Sequence, residues 1–398
     1  MARRSILTVQ ERQSLLALPD NQSEFIRHYS LSESDLSLIQ QKRGDANRLG
    51  FAIQLCYMQY PGIVLADNQT PDRELLKFIA TQLNCHPSAW ETYGLREVTK
   101  REHALELQRL FGFSAFARQD YQQYVDYVAN IAIETDKGIL LAERLVNYLR
   151  ASKILLPTVL VIDKLCAEAI TRANKIIYER LTANLTQVHF DKLDELLTHK
   201  ENTKFTHLGW LRQTSLKLSS TQILTHIDRL KYYLAIDLPD GIERRVHQNR
   251  LLKIAREGGQ MNPGDLAKFE PNRRYATLVA LVVEGKATVI DEIIELHDRM
   301  IHKIFNKAKN IHRQDFAESG KAINDKMVLY QAVIKAVLDA KHHDLDALPL
   351  IEKVIPSWEA LEDSAKQAEG LIQPAGFDFL PRINDSYQTI RRYTPAML

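Results

Sequence analysis

Apolar residues recur along this chain at intervals of three and four, the spacing that lines up one face of a helix. Ser32 followed by Asp35 predicts a capping box, with Leu31 and Leu36 at the two staple positions, opening a helix that ends at Gly44. Asp45 starts a second helix with Leu49, Ile53, Cys56, Tyr57 and Tyr60 on one face, and Pro61-Gly62 stops it. Thr70-Pro71 reads as an N-cap and first helical position ahead of Leu75, Leu76, Ile79 and Leu83. A break at Asn84-Cys85-His86 precedes Pro87 and a compact helix to Gly94. Thr99 and Glu102 predict another capping box before Leu105, Leu110 and Phe111. Two short helices, a tight turn and a third helix make the outline of a helix-turn-helix unit.

The same grammar continues downstream. Asp136 predicts the cap of a helix through Leu140, Leu141, Leu145 and Leu149, and Pro157 the first residue of a long one through Val159, Ile162, Leu165, Ala169, Ala173 and Ile176. A further helix runs from Ser220 to about 235, stopped by Leu238-Pro239-Asp240-Gly241. Gly258-Gly259 and Asn262-Pro263-Gly264 mark a loop. Two long amphipathic helices follow, over 287–309 (Ile290, Ile293, His297, Met300, Ile304) and 320–341 (Ile323, Met327, Tyr330, Ile334, Leu338). No stretch alternates with period two, and no hairpin dipeptide separates alternating runs. The expected fold class is all-α: several small helix-turn-helix-like modules in tandem, then longer packed helices. The segments are 1–66, 67–136, 137–210, a basic module at 211–286, and a long-helix region at 287–398. For that last region, packing between molecules and burial within one chain stand as equal readings. The amphipathic stretch Tyr387–Leu398 has no cap at its end, which leads to the expectation of a truncated reading frame.

Composition narrows this picture without redrawing it. The 398 residues carry 52 Lys and Arg against 50 Asp and Glu, a net charge of +2 that excludes a histone-like tail, an acidic disordered chain and a polycationic wrapper of nucleic acid. Cys56, Cys85 and Cys166 are too scattered for a disulfide framework or a structural zinc site and read as small buried thiols of a reducing cytoplasm. Arg3 and Arg4 have no apolar stretch behind them of the kind a signal peptide needs. The longest strongly apolar run, Leu278–Val283, falls far short of the ~20 residues that cross a bilayer. A cytoplasmic protein with no membrane partner is expected.

Two constellations imitate catalysis. Thr158–Asp163 is a β-branched run ending in a carboxylate, the way an RNase-H-like nuclease presents its first metal ligand. The helical period continues for five turns beyond it, however, which predicts Asp163 on a solvated helix face. The pairs His297-Asp298 and His342-His343-Asp344 contain the residue types of a helical metal phosphohydrolase. His297 falls on the apolar stripe, and His342 and His343 close a helix where cations favour the macrodipole. There is no Gly-rich phosphate loop, Gly-x-Ser-x-Gly elbow or Cys-x-x-Cys pair. The sequence predicts no catalytic, metal-binding or cofactor-binding residue.

The cations are more informative. From Gly241 to Arg256 the chain carries Arg244, Arg245, Arg250, Lys253 and Arg256 against Glu243 alone, a local charge of +4. Arg43 and Arg48 flank a predicted turn, and Arg96, Lys100 and Arg101 follow the second helical unit. Arg150 and Lys153 precede the long helix that bears Arg172, Lys175 and Arg180; Arg273 and Arg274 open a later one. Arginines near helix starts reach phosphates and, bidentately, guanine edges. As a set these residues favour double-stranded DNA over a membrane, since no extended basic amphipathic face of the membrane type is present.

Several segments resemble the N-terminal half of the Tn-three family of replicative transposases, the TnpA type. The matches are Asn47–Gly62, Thr99–His103 with Leu110–Phe113, Leu149–Pro157, Leu208–Arg212, and Arg273–Ala280 within Phe269–Gly285, all in the family's order. The resemblance implies a modular helical region that binds the terminal inverted repeats of a transposon, with a homodimer possible. It also implies that an RNase-H-like domain with an Asp-Asp-Glu triad and divalent metal follows in the family, beyond the residues present in this chain. Strand cleavage is therefore not expected from this chain. A helical interaction scaffold or regulator of transposition is the alternative, and a metal phosphohydrolase the lesser one.

Overall fold

The computed structural model describes residues 5–19, 22–66, 69–94, 97–213, 217–372, 380–384 and 386–398. Among them there is no β-strand; Ser114 with Ile154 and His199 with Thr206 form two isolated bridges. The fold is all-α.

In chain order the first helices are α1 (Val9–Leu15), α2 (Gln22–Tyr29), α3 (Glu33–Gln40) and α4 (Asp45–Gln59), followed by α5 (Arg73–Gln82) and α6 (Glu97–Phe111). The Ser32–Asp35 capping box is formed as predicted. Gly44 does not end α3. It precedes α4 at φ +79°, a conformation that glycine adopts without Cβ strain. Every residue of α4 from Leu49 to Met58 is buried, so this helix is enclosed on all sides rather than along one stripe. Around it pack Tyr29, Ile39, Leu75, Ile79 and Leu107. Asp72, not Thr70, caps α5, because its carboxylate accepts from the backbone N–H groups of Glu74 and Leu75. Thr99 lies inside α6, and the helix sits in a different rotation from the one its leucines suggest. His103 and Leu107 are buried, whereas Leu105 and Leu110 are exposed.

A second core joins α7 (Tyr121–Ala132), α8 (Gly138–Ala151) and α9 (Val159–Thr182) through Val125, Val128, Leu141, Leu145, Leu149, Ile162 and Leu165. Cys56 and Cys166 are buried in the two cores. Burial raises both thiols, that of Cys166 to about 12, as expected of structural cysteines. Asp163 corrects the sequence reading: it is 7% exposed. Its Oδ1 accepts the N–H groups of Ile6 and Leu7, both at 3.1 Å, and its Oδ2 accepts from Ser5 at 2.7 Å. Arg12 lies 3.6 Å from the same carboxylate. The charge is buried because a distant segment brings donors to it.

The chain continues through α10 (Gln187–Glu195), α11 (His207–Leu211), α12 (Ser220–Ile236), α13 (Gln248–Gly259) and α14 (Pro263–Ala267). Gly258 and Gly259 belong to α13 rather than to a loop. Gly258 is required by closeness, since a Cβ would run into Thr277. Next comes α15 (Pro271–His343), one helix where two were predicted. The polar stretch at 310–319 contains neither Gly nor Pro, so nothing interrupts the i→i−4 ladder, and a lone Gly320 costs only about 1 kcal/mol. Five short helices follow: α16 (Ala347–Glu352), α17 (Trp358–Glu369), α18 (Leu380–Asn384), α19 (Tyr387–Arg391) and α20 (Thr394–Met397).

These elements form two compact units, Met1–Thr206 with Leu238–Val283, and His207–Asp237 with Glu284–Leu398. In the second, Tyr393 is fully buried with its hydroxyl 3.2 Å from His297 Nδ1, and Ser220 donates to the Thr389 carbonyl at 3.1 Å. Tyr330 donates to the Ser364 carbonyl at 2.8 Å, near a small cluster of Ala336, Ile351 and Ile355.

Candidate nucleic-acid interface

Every described cation singled out from the sequence lies in the first unit. Arg96 lies outside the described residues. The others separate into cations engaged by the fold and cations presented to solvent.

The engaged group is the larger. Arg250 is 3% exposed, with one guanidinium nitrogen 2.7 Å from Asp136 and another bonded to Asn174 of α9. Lys253 binds the same Asp136 from the exposed side. Asp136 is thus not a helix cap: Lys137 occupies that position, without a side-chain bond. Burial alone would raise the Asp136 carboxyl, but the hydrogen bond from Lys253 and the charges of Arg250 and Lys253 outweigh it and hold the group below the usual carboxylate range. The charge of Arg250 is matched within the fold. Asp136 is the residue here that local sequence could not single out, since its partners lie on α13.

Backbone carbonyls hold several more. Arg150 donates to the Pro61 carbonyl at 2.7 Å and lies over the Tyr60 ring at 4.5 Å; burial lowers its pKa. Lys153 donates to the Phe111 carbonyl at 3.1 Å, satisfying the end of α6, and Arg245 donates to the Ala183 carbonyl at the end of α9. Arg48 donates to the Lys42 carbonyl at 2.9 Å and closes the turn between α3 and α4. Arg172 binds Asp126 and, at 2.8 Å, Gln122. Arg274 approaches Asp194 at 3.4 Å and Tyr275 at 2.8 Å, and Arg273 lies over the Phe269 ring at 3.8 Å. Lys100 is half-buried, its stem over Gly94.

The presented group is Arg43, Arg101, Lys175, Arg180, Arg244 and Arg256. Arg244 is 88% exposed at its side chain, and its ion-pair partner among the described residues is the neighbouring Glu243, at 3.6 Å. The contact of Arg245 with Ala183 brings Arg244 to the end of α9 that carries Arg180. Lys42, which the sequence reading did not select, binds Glu106 at 2.5 Å and ties the turn bearing Arg43 to α6; Arg101 lies on another side of α6, beside Val64, Leu65 and Ala66. Arg180 and Arg244 can offer guanidinium groups to an anion with no more than the exposed Arg244–Glu243 pair to give up.

The imitations of catalysis have structural occupations. His297 is bonded to Tyr393, and His343 lies 3.1 Å from Asp339 one turn before it. Among the described residues no three His, Cys, Asp or Glu side chains converge as a metal site would require, and no helix is long and apolar enough to cross a membrane.

Comparison with known proteins relates the whole chain to bacterial transposases. It is 54% identical over 398 residues to the transposase for transposon Tn21 of Escherichia coli and 50% identical over 399 residues to that for Tn501 of Pseudomonas aeruginosa. Identity to the transposase for Tn1546 of Enterococcus faecium is 28% over 397 residues. The chain is covered almost completely in each case but spans about 40% of the length of these relatives. Residues 6–169 also match a domain of unknown function (DUF4158). The relationship is specific: the chain is homologous throughout to the amino-terminal 40% of Tn-three-family transposases.

Proposed function

We propose that this chain recognises transposon ends: it binds the terminal inverted repeats as duplex DNA, as the amino-terminal part of a transposase. The observation that carries the reading is end-to-end homology with transposases. The solvent-facing Arg43, Arg101, Lys175, Arg180 and Arg244 support it, because cations not neutralised within the fold are what phosphate contacts need. Helical modules of helix-turn-helix type would place a few side chains in successive major grooves, and linking weak modules raises the effective concentration of each for its site. This role belongs in the cytoplasm of a bacterium, at the nucleoid.

The test is a gel shift of a labelled duplex carrying the end sequence of the element that encodes the chain, against a scrambled duplex at matched salt. Preferential retardation of the end sequence is expected; equal binding to both overturns the claim of specificity.

A second role, self-association or regulation through protein contacts, is favoured by one observation. On α15, Met327, Ile334 and Leu338 fall seven and eleven residues apart, hence on one face, and are 63%, 57% and 47% exposed. We include a homodimer through this row in the proposal. Sedimentation of the chain and of Ile334→Glu tests it: the wild type is expected to dimerise and the variant to be monomeric.

A further inference from the structure

The second unit carries a cationic surface that the sequence reading passed over. From Arg299 to Gln314 the chain has Arg299, Lys303, Lys307, Lys309 and Arg313 and no Asp or Glu. At 3.6 residues per turn these five fall within roughly 160° of arc, on one side of α15. The opposite side holds the buried Met300, Ile304 and Ala308, which fixes the rotation of the helix and turns every one of the five outward. All five are exposed. Arg299 has one exposed ion pair, 3.6 Å to Glu295, and such pairs are weak. Among the described residues Lys303, Lys307, Lys309 and Arg313 have no carboxylate partner. Asn306, Asn310 and Gln314 fill the positions between them with further donors. A groove of about 660 Å³ borders the row, lined by Leu218, Arg299, Lys303, Lys307, Asn310 and Gln314.

We infer that this face of α15 is a second DNA contact, one that grips the phosphate backbone of a duplex without reading its sequence. The row extends about 21 Å at 1.5 Å per residue, and a duplex presents a negative charge about every 1.7 Å along its axis. A straight row of cations with amide donors between them matches a line of phosphates better than it matches a compact anion. Lysine predominates, and lysine acts on phosphate as a mobile point charge, whereas base-edge discrimination relies on the rigid fork of arginine. Membrane binding would need a broad apolar flank beside the cations; here Met300, Ile304 and Ala308 are buried, and the exposed Phe305 is a single ring beside a row of five cations.

The inference rests on the proposal that the chain binds duplex DNA, and the experiment separates the two. Affinity is measured by fluorescence anisotropy for the element's end duplex and for an unrelated duplex over a range of salt. The wild type is compared with the chain carrying Lys303→Gln, Lys307→Gln, Lys309→Gln and Arg313→Gln together. Each lost phosphate contact lowers the slope of log affinity against log salt by about 0.9. The expected result is a slope reduced by up to about 3.6 and affinity weakened roughly tenfold or more for both duplexes alike, their ratio unchanged. In parallel, acetylation of Lys303, Lys307 and Lys309 in the wild-type chain is expected to slow when duplex is added, a readout that needs no variant to fold. Unchanged slope and unprotected lysines overturn the inference. The same result with self-association lost also overturns it and assigns the face to a protein. A wild-type chain that binds neither duplex overturns the proposed function instead.

Discussion

The Arg250 guanidinium and the Asp136 carboxylate meet at 2.7 Å with both side chains largely out of solvent, 4% and 18% exposed. Removing one partner of such a pair leaves an uncompensated buried charge, which costs about 3–5 kcal/mol. Asp136→Asn is therefore expected to lower the free energy of unfolding by that amount. Lys253→Gln touches the same carboxylate from a side chain 47% exposed and is expected to cost less than about 1 kcal/mol. Urea denaturation of the two variants checks this. Equal losses would show that the shared carboxylate is held by the exposed lysine rather than by the buried arginine.

His103 extends the argument to pH. It is 8% exposed, with its Nδ1 3.1 Å from the Tyr93 hydroxyl. Burial first and the Lys42 charge second lower its pKa from 6.5, while Glu106 and Glu102 oppose them. The folded state therefore disfavours the protonated ring more than the unfolded state does. The contribution is present above pH 6.5 and is lost as pH falls below that value toward the folded pKa. Stability measured by denaturant is expected to decline between pH 7.5 and pH 5, and less steeply in His103→Gln, which keeps a hydrogen-bonding group beside Tyr93. Parallel declines in both proteins would show that other groups control the slope.

Asp163 holds Ser5, Ile6 and Leu7 through three hydrogen bonds, and Leu7 is 3% exposed against the core shared by α7, α8 and α9. In Asp163→Ala the N–H groups of Ile6 and Leu7 lose their acceptor, and Arg12 loses its counter-charge. Amide hydrogen exchange is expected to accelerate across residues 5–16 while α8 and α9 remain protected. Fast exchange throughout the three helices would mean instead that the carboxylate supports the whole core.

The elements that local chemistry determines were legible: the Ser32–Asp35 cap, the end of α4 before Pro61-Gly62, and the stripes of α8 and α9. What escaped were properties created by distant residues. Asp163 and Asp136 look like surface carboxylates until the chain's start and α13 arrive to pair them. Leu105 and Leu110 of α6 point outward while His103 turns inward to Tyr93, and a polar residue ranks low in any apolar pattern. Among the cations, sequence shows charge but not whether a carbonyl or carboxylate has claimed it. The row on α15 was visible as a run without acids, yet its importance depends on which side of the helix is buried.

That division of the cations has a measurable consequence. Arg180 and Arg244 are solvent-facing, whereas Arg150 is held by the Pro61 carbonyl and the Tyr60 ring. If phosphate binding uses only unclaimed cations, Arg180→Gln and Arg244→Gln should each lower the salt slope of DNA binding by about 0.9 and leave the melting temperature within a degree or two. Arg150→Gln should do the reverse, lowering the melting temperature through the lost packing and carbonyl bond while the surviving folded protein keeps its slope. Anisotropy titrations at four salt concentrations, beside thermal melts of the same preparations, read both quantities. A slope change in Arg150→Gln equal to that in Arg244→Gln would show that the guanidinium leaves Pro61 to meet DNA, and that the engaged arginines are a reserve rather than part of the scaffold.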